Sequence, residues 1–132
     1  MIVKLNTVLL DDLTAQAKAS PRLRTNYNLH HSMDSKAHRF FNAMEPGTVV
    51  DIHRHPHTDE TILVLRGRVK VSIYGDDKTL LEVHDQTTET DSFGFHIPAG
   101  AWHQVECLET GTILFEIKDG PYIKPGENDV LK

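Results

Sequence analysis

The chain has 132 residues, 39% of them apolar and 25% charged, with 14 lysines and arginines against 19 aspartates and glutamates for a formal charge of -5. That length fits one domain with a core of its own, no apolar run reaches the roughly 20 residues of a membrane-spanning helix, and the acidic balance lacks the basic footprint that nucleic acid or an anionic membrane surface requires. One cysteine excludes an internal disulfide framework, and Asn6, Asp11 and Asp12 interrupt the apolar start MIVKLNTVLL where a signal peptide needs continuity, so a cytoplasmic setting is expected.

In chain order, residues 10–20 (LDDLTAQAKAS) predict a short helix. Asp11 or Asp12 is placed to cap it, Leu10, Leu13 and Ala17 recur on one face, and Pro21 ends it. From Arg22 the period drops to two. Arg22, Arg24, Asn26, Asn28 and His30 alternate with Leu23, Thr25, Tyr27 and Leu29, which predicts an extended arm with one polar face. Residues 38–50 (HRFFNAMEPGTVV) read as strand, turn at Pro46-Gly47, and strand. Further strand-like runs lie at 62–65, 69–74, 79–83, 93–97, 102–105 and 112–117, punctuated by glycines. Short strands at close intervals predict an all-β sandwich or barrel. Residues 84–92 (HDQTTETDS) read as an exposed loop, and the tail from Lys118 as irregular surface chain. The expected organisation is one structural domain: helix and arm at 1–36, barrel at 37–120, tail at 121–132.

Nine histidines against one cysteine make the spacing of the imidazoles the main functional signal. His53 and His55 are two apart, so on a strand both rings project from one face. Pro56 ends that strand, and a four-residue hairpin loop would return Glu60 beside His55. Two neutral imidazoles and a carboxylate on one side of a hairpin are a donor set for a borderline divalent metal. His103, three residues after Gly100 and at the start of another strand, is placed to supply a third nitrogen. Such a set leaves coordination positions open for substrate, water or dioxygen.

These residues carry a family resemblance. Gly47, His53, His55, Glu60 and Gly67 match the first cupin motif, G-x5-H-x-H-x4-E-x6-G, at every spacing, and Pro98, Gly100 and His103 match the core of the second, G-x5-P-x-G-x2-H-x3-N. The second motif's leading glycine falls at Ser92 and its closing asparagine at Cys107. Neither position is a metal ligand in the family. The strings RLRTNYNLH, RFFNAMEPGTVVDIHRHPHTDE and FEIKDGPY resemble the WbuC group of cupin-fold metalloproteins over about residues 20–125. The resemblance implies a cupin double-stranded β-helix, or jelly roll, with a short N-terminal helix and extended arm. It also implies one divalent transition metal (iron, manganese, nickel, zinc or cobalt) on His53, His55, Glu60 and His103, a homodimer, and a link to surface-polysaccharide biosynthesis.

Around that site, the arm's donors Arg22, Arg24, Asn26 and His30 suit a polar, phosphorylated or sugar-like ligand. The alternative for the arm is a solvated edge strand or a segment exchanged with a partner subunit. Glu116 and Lys118 share a face near Tyr122, and the resemblance makes this FEIKDGPY patch, with Lys118 and Tyr122, a candidate second wall of the pocket; Glu-Lys at this spacing also reads as an ordinary surface ion pair. His57 is a candidate general base. Trp102 is expected in the barrel core, and Cys107 as a buried thiol. The expected function is a metal-dependent isomerase or epimerase acting on a small polar sugar-type metabolite. A non-catalytic metal- and ligand-binding module and a ferrous-iron dioxygenase are the alternatives.

Overall fold

Ten short strands among the described residues form two antiparallel sheets, and alternating apolar residues on the inner strands are buried between them. The structure, a computed structural model, describes residues 1–131; Lys132, the last residue of the expected tail, lies outside them. The first sheet has the order β1 (Arg24–Asn28), β2 (Ala37–Met44), β9 (Thr112–Asp119), β4 (Glu60–Arg66), β7 (Gly94–Ile97). The second has the order β10 (Val130–Leu131), β3 (Ile52–His53), β8 (Trp102–Cys107), β5 (Arg68–Tyr74), β6 (Leu80–Thr87). This is the all-β jelly roll with one short N-terminal helix that the sequence predicts.

The parity of β2 decides what each side of the first sheet does. Phe41 and Ala43 face outward and join Ile113 under Leu13 and Ala17 of α1 (Thr7–Ala19). Met44 faces inward and joins Ile62, Val64, Val69, Val71, Val105, Cys107 and Leu114 between the sheets. At roughly 1.5–3 kcal/mol for each fully buried large aliphatic side chain, this inter-sheet cluster is the main stabilising contact. Met44, Ile62, Val105 and Leu114 of this cluster also border the cavity between the sheets.

Four expectations need correction. The helix starts at Thr7, because Asn6 accepts a hydrogen bond from the Leu9 N–H at 3.1 Å and acts as the cap. Asp11 and Asp12 lie inside it, with Asp11 paired to Arg66 at 2.7 Å. No strand forms at 48–50, and β3 stops at His53. Residues 84–87 are not loop but the end of β6, with Gln86 and Thr87 buried. Their polar groups are satisfied locally: Gln86 Oε1 accepts from Ser92 Oγ at 2.9 Å and Thr87 N–H donates to Ser92 O at 3.0 Å. Nor is the tail wholly irregular. β9 runs on to Asp119, Tyr122 N–H donates to Met33 O at 2.7 Å, and β10 returns to pair with β3.

One glycine is required by packing. Gly67, between β4 and β5, has φ +83°, and a Cβ there would sit 2.6 Å from Thr112 Cα.

Candidate metal centre

The two sheets meet at a cluster of three imidazoles. His53 ends β3 directly opposite His103 on β8 in the register. His55 lies just past the strand. The chain then crosses from the second sheet to the first, so β3 and β4 are not the two arms of one hairpin, as the spacing had predicted. The crossing is held in place by Gly100 N–H donating to His55 O at 2.8 Å and Ala99 N–H to Asp59 Oδ1 at 2.8 Å. One ring nitrogen from each of His53, His55 and His103 lies within 4.8 Å of the other two.

The tautomers follow from their partners. His53 Nδ1 lies 2.8 Å from Asp51 O, and His103 Nδ1 lies 2.9 Å from Ala101 O. A carbonyl can only accept, so each Nδ1 carries the proton and each Nε2 is left with a free lone pair. His103 is fully buried and its Nε2 has no hydrogen-bond partner among the described residues. Burial, followed by the Lys118 ammonium and the neighbouring imidazoles, lowers His55 to about 3. Burial and His53 lower His103 to about 4, and burial also lowers His53. The triad is therefore neutral at pH 7. Converging neutral nitrogens, one of them orphaned in the interior, fit a borderline divalent transition metal.

Glu60 stands to one side of the triad. Its Oε2 is 3.3 Å from His55 Nε2, and it donates a hydrogen bond to Glu116. Burial first, and Glu116 second, push Glu60 up to about 8. Burial also raises Glu116, whose Oε2 accepts from Asn42 Nδ2 at 2.8 Å. The carboxyl pair and the triad line one cavity of about 490 Å³, together with Arg22, Arg24, Asn26, Lys118 and Tyr122. Glu116 and Asn42 belong to this wall; Glu116 is buried there and, among the described residues, does not form the surface ion pair with Lys118 that its spacing suggests. The usable signal was Glu116's shared parity with Lys118.

Residues 5–86 match the family model described as Domain of unknown function (DUF6016). The chain belongs to that family. Its DUF6016 segment overlaps a stretch of 93 residues that is 34% identical to mannose-1-phosphate guanylyltransferase of Escherichia coli (strain K12), covering 67% of this chain and 16% of that longer protein. Similar solved structures are KdgF from Halomonas sp. (TM-score 0.60, 17% identity, 76% of this chain and 82% of that one) and the Schizosaccharomyces pombe Cnp3 cupin domain (0.58, 11%, 73% and 64%). Another is Bacillus subtilis oxalate decarboxylase, described with Mn(II) centres (0.56, 17%, 83% and 27%). At these identities the likeness shows the fold, and that fold is the cupin fold.

In this DUF6016 protein the remaining candidates fall outside the cavity. His30 is buried against His38, ring centroids 4.0 Å apart, and its Nδ1 accepts from Arg39 N–H at 3.2 Å. His57 is exposed and lines a separate cavity of about 60 Å³ beyond His55. Trp102 is buried with the Arg54 guanidinium 4.6 Å above its ring. Cys107 is buried, its Sγ donating to Glu109 O at 3.2 Å. No helix among the described residues is long and apolar enough to cross a membrane.

Proposed function

We propose that this protein is a metal-dependent enzyme, an isomerase or epimerase of a small polar sugar-type molecule, with His53, His55, His103 and Glu60 holding the metal. The observation that carries this reading is the orphaned Nε2 of His103, converging with two neutral imidazoles beside a cavity of about 490 Å³. A bound divalent metal supplies Lewis-acid polarisation of a substrate oxygen. Glu116, fixed by Asn42 and touching Glu60, takes the proton-handling role in place of His57, because it faces the cavity and His57 does not. Phe40 and Ile62 flank Glu116 in the sheet register, and with Leu114 they give the same cavity an apolar lining.

The sugar-type substrate draws support from the curated relative, which is named for a sugar 1-phosphate. The likeness to the WbuC group supports a place in surface-polysaccharide biosynthesis. Mn(II) in the oxalate decarboxylase neighbour makes manganese the first metal to test. We assign a homodimer as well, supported by β6: it is an edge strand with Leu80, Leu81 and Val83 at 52%, 62% and 52% exposure. The cytoplasmic setting rests on the single, buried thiol. The test is conversion of candidate sugars and sugar nucleotides by manganese-loaded protein, with Glu116→Gln alongside. Turnover lost in the variant at unchanged metal content supports the enzyme, and tight binding without conversion supports the non-catalytic module.

A further inference from the structure

The register of the first sheet turns its inward face into a grid. Its rows read Asn28–Phe40–Glu116–Ile62, then Asn26–Asn42–Leu114–Val64, then Arg24–Met44–Thr112, with His38–Lys118–Glu60 at the metal end. In the middle, Phe40, Ile62, Leu114 and Val64 surround the hydrogen-bonded pair Asn42 and Glu116. Arg24 and Asn26 lie along β1, the free edge of the sheet, and Arg22 precedes them on the same wall of the cavity.

The charges on this wall do not balance within the protein. Three cations, Arg22, Arg24 and Lys118, line the cavity against two carboxyls, Glu60 and Glu116. None of the three cations forms an ion pair among the described residues, whereas Arg54, Arg66, Arg68 and Lys70 each do. Arg24 is half-buried, and burial followed by repulsion from Arg22 lowers its pKa, with Glu116 and Asp51 acting on it only from beyond ion-pair distance. A partly desolvated guanidinium is costly without a counter-ion, and its planar fork matches a carboxylate or phosphate.

We propose that the molecule bound at the metal centre is an anion, a hydroxylated substrate whose carboxylate or phosphate is gripped by Arg24 and Arg22, with Asn26 donating beside them. Its other end reaches the triad, where Lys118 holds an oxygen near the imidazoles. This deepens the metal-enzyme reading and rests on it for the placement of that second end. The arm thereby sets specificity: a neutral sugar of the same shape leaves two guanidinium groups unpaired.

The test is calorimetric binding of three probes that share one ring, namely glucose, glucuronate and glucose 6-phosphate, to manganese-loaded protein. At least one anion binds more than about tenfold tighter than glucose, and whichever anion is preferred separates the carboxylate from the phosphate. Arg24→Met, and Arg22→Met with Arg24→Met, lose that preference, while Arg24→Lys keeps part of it; melting temperatures verify that each variant is folded. Equal binding of glucose, no binding of any probe, or a preference that survives in the folded double variant overturns the proposal. Metal content of the same samples reads the other claim separately. Anion preference in a chain that takes up no metal sinks the metal-enzyme reading and leaves the anion grip standing. A metal-loaded chain that does not discriminate does the reverse.

Discussion

His103 shows how much a single side chain can fix. Its Nδ1 is spent on Ala101 O, its ring is fully buried, and its Nε2 has nowhere to go but the centre of the triad. The convergence of the three imidazoles was legible in the sequence because its signals are local: two residues from His53 to His55, and a proline-glycine turn ahead of His103. Glu116 was legible only as a neighbour of Lys118 on one face; its contacts with Asn42 and Glu60 were not, because they depend on a register running through β2, β9 and β4 that no local pattern reveals. The titrations give a prediction for the metal-free protein. His55 and His103 have folded pKa values below the ordinary 6.5, so the stability they allow is present above 6.5 and is lost as pH falls from there toward about 4 and 3. Glu60 runs the other way. Its folded value of about 8 lies above the ordinary 4.5, so its contribution is complete below 4.5 and is lost as pH rises toward 8. Calorimetric melting of the chelated protein should therefore peak near pH 6.5, and Glu60→Gln should reduce the decline on the alkaline side, where buried Glu116 acts in the same direction. An unchanged alkaline decline in that variant would contradict the assignment.

Among the elements, the tail departs most from its sequence pattern. Val130 and Leu131 pair with His53 and Ile52, Arg54 N–H donates to Asp129 O at 3.0 Å, and Arg54 Nε meets Asp129 Oδ1 at 2.8 Å. A two-residue strand has no periodicity to read, which is why this segment looked irregular. The tail thus splints the strand that carries one imidazole and leads to the next. Asp129→Ala should weaken metal binding by roughly tenfold, the low end of the cost of losing an outer-shell partner, with the β-sheet circular dichroism unchanged. Metal affinity equal to wild type would mean that the tail does not order the site. The turn between β4 and β5 was legible as a glycine punctuation mark, but its severity was not. Gly67→Ala meets the backbone of Thr112 and a left-handed φ together, and should cost about 3 kcal/mol or more in urea unfolding.

At the scale of the whole molecule, one sandwich holds its apolar packing and its cavity side by side. Met44, Val105 and Leu114 belong to the inter-sheet cluster with Val64 and Val71 and also line the cavity that carries the triad and the arm. The all-β class and the cupin likeness could be read from short, glycine-punctuated strands and two motifs. The division of strands between sheets could not, since His55 and Glu60 look like neighbours across a hairpin and in fact bridge the two sheets. Because that bridge is where metal would bind, loading couples to global stability. A metal at one hundred times its dissociation constant adds about 2.7 kcal/mol, so chelation should lower the melting temperature by roughly 5–15 °C, and manganese should restore it. No shift on chelation of metal-loaded protein would show that the site is not coupled to folding.

The central claim is tested most directly by elemental analysis of the protein purified from metal-replete medium, beside its His103→Ala variant. The predicted result is about one transition metal per chain in the wild type and a large loss in the folded variant. A wild-type chain without stoichiometric metal, or a His103→Ala chain that retains it in full, would contradict the account.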